Sequence, residues 1–423
     1  MLSKKTYDTY TEILRSELLP ATGCTEPIAV ALAGAKLREY LGEMPVKVDV
    51  FCSDNIIKNV KGVVVPNSGG LRGVDTAVML GIIAGDPNAD LQVIVRANDE
   101  HRQKLREELA RGYVTVHLAE GVPSLFIVVK GVSEHHSAEI EIVNKHNNVN
   151  RVIVDGKTFV DQHKDSGEDS VGPDKSLLNG RDIIEYAETV DLSEIGDLIE
   201  SQIRDNTAIS WEGLKKRYGA QVGRTLMERS NDVYTRAKAR AAAGSDARMN
   251  GCPMPVVINC GSGNQGITVS LPVIEFAEEM KCSREKLYRA LVLANLMAVH
   301  QKKYIGYLSA YCGVASAASA AAAGICWLKG GGYEQIMDTV ATSICTIGGM
   351  VCDGAKSSCA SKIASAVETA LTSMDMALKG RHLFHSEGLT MEDQEATIKA
   401  VGRMAREGMD YTDIVILNIM LGK

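Results

Sequence analysis

No long block of lysine or arginine, no apolar leader and no closely spaced pair of cysteines occurs in this 423-residue chain. Each absence narrows what the protein can be. The 46 lysines and arginines are outnumbered by 53 aspartates and glutamates, giving a formal net charge of −7. The basic surface that holds nucleic acid is missing, so no nucleic-acid partner is expected. The opening stretch MLSKKTYDTYTEILRSELLP carries lysines and then runs polar and amphipathic, without the apolar segment and small-residue cleavage site of a secretory signal. The chain therefore reads as cytoplasmic, and its ten cysteines read as thiols, because disulfides are uncommon in that compartment. A structural zinc site usually shows paired cysteines at close spacing, and none is present. Internal repeats are absent too.

One uncharged stretch remains, IGYLSAYCGVASAASAAAAGICWL at 305–328. Its length would permit a membrane crossing. Its alanines, serines and glycines gain little in hydrocarbon, so it reads as a buried helix whose small residues let neighbouring backbones approach, and no membrane partner is expected.

The length exceeds what one small core organises, which predicts two domains. Residues 4–19 are amphipathic and helical. Two prolines and a glycine in LLPATGCTEP break that helix and put Cys24 in or beside a loop. IAVALAGAKLREYLG resumes a helix that stops at Gly42. From about 45 the pattern changes to short β-rich runs: VKVDVFC, LQVIVRA, YVTVHLAE, SLFIVVKGV, AEIEIVN and NRVIVDG. RGVDTAVMLGIIAG and EHRQKLREELARG between them read as helices. The polar stretch 161–182 reads as a mobile loop or domain edge. From 192 onward helices dominate. The expected fold is α+β: a mainly helical domain formed by 1–44 and 192–423, with an inserted domain at 45–191 whose mainly antiparallel sheet carries helices on a face.

Cys52, Cys326 and Cys345 lie in apolar runs and read as small core residues. Cys252 and Cys260 are possible ligands that read better as structural, and Cys282 carries no assigned role. Cys312, Cys352 and Cys359 differ, since each lies beside glycine or small residues at a break between helices. In GGMVCDGAKSSCASK, a single regular helix would separate Cys352 and Cys359 by about 10.5 Å along its axis, too far for one metal ion. Asp353-Gly354 predicts a turn instead, with Cys359 in the first turn of the next helix. That helix N-terminus and Lys356 would favour the thiolate. Three thiolates on separate elements suit an iron–sulfur cluster; a zinc site and plain buried thiols are the alternatives.

GCTEP, NCGSGNQGI, YCGVASA and CDGAKSSCASK, in that order, resemble the cysteine desulfidase family, which is related to the alpha subunit of iron–sulfur L-serine dehydratases. The resemblance runs from about residue 5 to 420. It implies a [4Fe–4S] cluster and β-elimination from an amino acid without pyridoxal phosphate. L-Cysteine would give pyruvate, ammonia and hydrogen sulfide; L-serine would give pyruvate and ammonia. It further implies a homodimer. Carried over residue by residue, the cluster ligands would be Cys312, Cys352 and Cys359, with a shorter gap between the last two than in the dehydratases and Gly354 where those have proline. The dehydratases' Ser-Ser-His-Thr motif has no copy. Cys24 matches a desulfidase cysteine placed near the substrate and is the candidate base, for which its pKa would have to fall; a fourth cluster ligand and a plain buried thiol are the alternatives. Glu26 is a candidate proton relay or helix N-terminal charge, and Lys356 a candidate partner of the substrate carboxylate or the cluster. Asn259, Asn264 and Gln265 are candidate substrate contacts in a glycine-rich clamp whose backbone amides can form an anion nest. Asn67 and Ser68 are further candidates from the inserted domain. A non-catalytic sensor of cysteine or redox state is the alternative from another class.

Overall fold

The computed structural model describes residues 2–162 and 172–422. The fold is α+β. Its strands are β1 (Pro20–Thr22), β2 (Lys47–Cys52), β3 (Val114–Leu118), β4 (Phe126–Val132), β5 (Ser137–Val143), β6 (Val149–Val154), β7 (Lys157–Asp161) and β8 (Pro255–Val257). β1 and β8 pair antiparallel as a small ribbon joining the N-terminal segment to the middle of the chain. The other six form one sheet in the order β3-β2-β4-β5-β6-β7. Only β2 and β3 run parallel, with Val50 opposite Val116; on its other side Val50 faces Val129 of antiparallel β4. Alternation in KVDVFC sends Val48, Val50 and Cys52 into the core.

The helix Thr25–Leu41 lies against β4 and β5 and against the helix Val74–Ala84. It is buried nearly all round, which explains its lack of a polar face. Two glycines allow that depth. A Cβ on Gly81 would sit 2.0 Å from the Ala31 carbonyl oxygen, and one on Gly34 2.3 Å from that of Val78. The helical half centres on Gly313–Leu328, wrapped by Gly263–Glu279, Arg284–Ile305, Tyr333–Ile347 and Cys359–Leu378. Its alanines and serines are the contact surface for all four neighbours. Among the described residues no helix is long and apolar enough to cross a membrane. The apolar core is continuous across residues 44/45 and 191/192: Thr25–Leu41 covers the sheet, and Gly180–Thr189 packs on Arg284–Ile305.

Two local expectations are corrected. LQVIVRA is no strand. It forms the 3-10 turn Asp90–Gln92 and further turns, with Asp90 at φ 52° and Leu91, Val93 and Ile94 buried. Burial of 91, 93 and 94 breaks the alternation a strand needs, and the Asn67 side-chain amide takes the Ile94 carbonyl that a neighbouring strand would have taken. Lys157–Asp161, read as part of no strand, closes the sheet edge as β7. Of the polar stretch 161–182, residues 163–171 lie outside the described residues; beyond them come the 3-10 turn Lys175–Leu177 and a helix capped by Asn179.

Candidate active site

Three backbone turns bring the candidate residues to one cavity. In the first, Gly23 takes φ 69° and Cys24 caps the helix Thr25–Leu41. A Cβ on Gly23 would fall 1.9 Å from Pro66 Cγ, so the chain turns here only as glycine. In the second, Cys260 and Gly261 both take positive φ (49° and 72°), and Ser262 caps the helix Gly263–Glu279. The Thr25 hydroxyl ties the first turn to the second by donating to the Gly261 carbonyl at 2.8 Å. In the third, Tyr311 and Val351 pair as an isolated antiparallel bridge. The amide of Cys312 donates to Met350 at 3.0 Å and that of Cys352 to Ala310 at 2.6 Å, so main-chain bonds set the two cysteines side by side. Gly354, at φ 90°, makes the turn expected at Asp353-Gly354; a Cβ there would sit 2.5 Å from the Lys58 carbonyl oxygen. Cys312 caps Gly313–Leu328 and Cys359 opens Cys359–Leu378.

The cavity encloses about 90 Å³. A single water needs ~10–15 Å³ on this measure, so the space suits a molecule of a few non-hydrogen atoms. Cys24, Glu26, Asn264, Gln265, Cys312, Cys352 and Cys359 all line it. So do Asn59, His146, Arg248, Lys302 and Tyr307, none of which stood out in the sequence.

Cys24 is 3% exposed, and its thiol donates to Glu26 Oε2 at 2.8 Å. The same carboxylate accepts from the Asn59 amide at 3.0 Å through Oε1 and from the Thr25 hydroxyl at 3.2 Å. Burial opposes ionisation of Glu26, but His146, the Cys24 bond and Arg248 outweigh it and hold its carboxyl below the ordinary range. His146, also buried, is pushed down by desolvation and by Arg248, against the pull of Glu26. The thiol goes the other way from the sequence reading, which required a lowered pKa. Burial and the adjacent Glu26 carboxylate push Cys24 well up, with Arg248 offsetting only part. The resting pair is thus thiol and carboxylate.

Burial, then the Cys352 sulfur, pushes Cys312 up to about 12. Cys359 also goes up by burial, the reverse of the helix-terminus expectation. Lys356, expected to favour its thiolate, directs its ammonium to Asp353 Oδ1 at 2.5 Å and to the Asp353 carbonyl at 2.9 Å. Two other cations face the sulfurs. Lys302 is buried and pushed down by desolvation, against the fields of Cys260, Cys352 and Cys312. Lys362 loses to desolvation but gains more from Asp353, and feels Cys312 and Cys352 as well. Three thiols from separate elements, with the buried Lys302 and the half-buried Lys362 beside them, are the donor chemistry of an iron–sulfur cluster. Among the described residues no three His, Cys, Asp or Glu side chains are gathered closely enough to hold a single metal ion. The three thiols share the lining of one cavity.

The remaining candidates lie elsewhere. Asn67, at φ 59°, spends its amide on the Ile94 and Val95 carbonyls, and Ser68 donates to the Leu71 carbonyl. Both are turn residues away from the cavity. Asn259 sits behind the wall, with its amide on Asn295 at 2.9 Å. No sequence signal set Arg248 apart, since the run ARAAAGSDARM also carries Arg240 and Asp246.

Residues 90–418 match the family described as serine dehydratase alpha chain, and the chain belongs to that family. It is similar over its whole length to several curated relatives. A UPF0597 protein of Finegoldia magna is 46% identical over 416 residues, covering 98% of this chain and 99% of the relative. One of Lachnoclostridium phytofermentans is 46% identical over 417 residues, covering 98% and 100%. One of Desulfitobacterium hafniense is 44% identical over 419 residues, covering 99% and 97%.

Proposed function

We propose that the protein is a cytoplasmic β-eliminating lyase that uses a [4Fe–4S] cluster, not pyridoxal phosphate, and acts on a small amino acid, L-cysteine in preference to L-serine. The observation that carries this reading is the convergence of the Cys24–Glu26 pair and the three cysteines 312, 352 and 359 on one small cavity. A cluster held by those three cysteines would supply a Lewis-acidic iron without a protein ligand.

The chain's own groups supply the proton movements. Cys24 rests as the thiol, so Glu26 accepts its proton across their hydrogen bond only in step with the reaction, and the thiolate, made more basic by burial beside a carboxylate, takes the substrate α-proton. As the Cα–H and Cβ–S bonds break, the proton held on Glu26 passes to the departing sulfide. The enamine left behind is hydrolysed by water, so that cysteine and water give pyruvate, ammonia and hydrogen sulfide. Asn59 and Thr25 hold Glu26 in place through both transfers. A homodimer is proposed from the resemblance to the cysteine desulfidases, and the mass in solution tests it.

The test is purification without oxygen, followed by iron and acid-labile sulfide analysis and an absorption spectrum. Sulfide, pyruvate and ammonia are then assayed with L-cysteine and L-serine side by side. Iron with matching labile sulfide, and sulfide release from L-cysteine, are expected. Zinc in place of iron, or cysteine binding without products, overturns the proposal; the second result would mark a sensor. Faster pyruvate from L-serine would keep the lyase and reverse the substrate.

A further inference from the structure

Arg248 projects from the helix Val233–Met249 and is 2% exposed. Its Nη1 donates to Asn264 Oδ1 at 3.1 Å. Its Nε and Nη2 are buried and have no partner. Leaving charged donors unpaired in a protein interior is costly, and these two are not arbitrary. Nε–H and Nη2–H point the same way from the guanidinium plane and form the fork that takes both oxygens of a carboxylate.

The surroundings leave room for such a guest. Arg248 lines the cavity that holds Cys24, Glu26 and Cys312. A Cβ on Gly263 would sit 2.3 Å from Arg248 Nε, so a side chain at that position would crowd this edge. Gly263 also begins the 17-residue helix Gly263–Glu279, whose first-turn amides carry partial positive charge toward the same place. Among the described residues Arg248 makes no direct ion pair; Glu26 acts on the same cavity through its field and is already held by Cys24, Thr25 and Asn59.

We propose that Arg248 is the substrate-binding residue for the α-carboxylate, through Nε and Nη2, with Asn264 fixing the guanidinium from its far side. This deepens the lyase reading and rests on it for the identity of the substrate. It sets specificity: the ligand must carry a free carboxylate next to the reacting carbon, so amines and amino-acid amides of the same shape are refused.

The experiment uses the cluster-loaded protein, kept free of oxygen. L-Alanine, which has the carboxylate and no β-leaving group, and L-alaninamide, which lacks the carboxylate charge, are titrated calorimetrically into the wild type and Arg248→Lys. A charge-assisted carboxylate contact predicts that L-alanine binds about 10- to 100-fold tighter than L-alaninamide, and that the preference shrinks about tenfold in the lysine variant. KM for L-cysteine should rise by a similar factor while kcat changes much less. In Arg248→Ala, added guanidinium should restore part of the L-alanine binding. Equal binding of L-alanine and L-alaninamide by the wild type overturns the proposal, and needs no variant to fold. A fall in kcat with KM and L-alanine affinity unchanged also overturns it, and would assign Arg248 to the Cys24–Glu26 pair. If neither L-cysteine nor L-serine is turned over but L-alanine binding depends on Arg248, the carboxylate site stands and the lyase reading falls.

Discussion

Replacing Cys24 separates proton transfer from cluster binding. Cys24→Ala removes the group proposed to take the α-proton; Cys24→Ser keeps the size but offers a hydroxyl far less acidic than a thiol. The structure bounds the collateral damage. Cys24 contributes its side chain to a small apolar cluster with Val63 and Met249, against which Ala355 and Cys359 pack. Glu26 keeps the Thr25 and Asn59 donors when the thiol is gone. Losing one hydrogen bond with its acceptor still satisfied costs about 1 kcal/mol of stability. Losing a positioned general base costs about 10²- to 10⁴-fold in rate, or roughly 3–5 kcal/mol in the barrier. The expected outcome is therefore a protein with near wild-type iron content, cluster absorption and melting temperature, whose kcat for L-cysteine is down by at least a hundredfold. Both variants are assayed by continuous sulfide release under nitrogen, with iron counted on the same sample. Loss of iron along with activity would refute the reasoning by making Cys24 a ligand. Retained turnover would refute it by removing Cys24 from the chemistry.

Two further outcomes follow from named positions. The Asp246 carboxyl is raised from 3.8 to about 6 by burial, against amide donors that include Gly223. A raised acid contributes its stability fully below pH 3.8 and loses it as pH climbs through 6, so between those values the fold weakens with rising pH. Asp246→Asn should flatten that segment of the melting curve and raise the melting temperature at pH 7; an unchanged slope would remove Asp246 from the account. Gly354→Ala puts a Cβ 2.5 Å from the Lys58 carbonyl oxygen at a φ of 90°. The turn between Cys352 and Cys359 must then shift, and iron content measured after anaerobic reconstitution should drop to less than about half, while far-ultraviolet circular dichroism stays that of the wild type.

Much of the architecture follows from local pattern. The amphipathic start, the helix ending at Gly42 and the buried alanine-rich helix are all visible in spacing and composition, because each depends on neighbours within a few turns. LQVIVRA was not legible, since an apolar run of that length suits a strand or a plug, and the left-handed Asp90 decides it. The sulfur-bearing motifs announce themselves through glycines and breaks. Asn59, His146 and Arg248 do not, because each is a single polar residue in an ordinary stretch and only the tertiary fold brings them together. Asn67 and Ser68 looked like ligands for the opposite reason: turn formers and binding residues share a composition. The direction of the Cys24 shift also needed coordinates, since it depends on how deeply the thiol is enclosed.

The bridge between Tyr311 and Val351 makes two cysteines one mechanical unit. Because paired amides and carbonyls hold Cys312 beside Cys352, neither thiol shifts without carrying the other, so a substitution that breaks the bridge displaces both together.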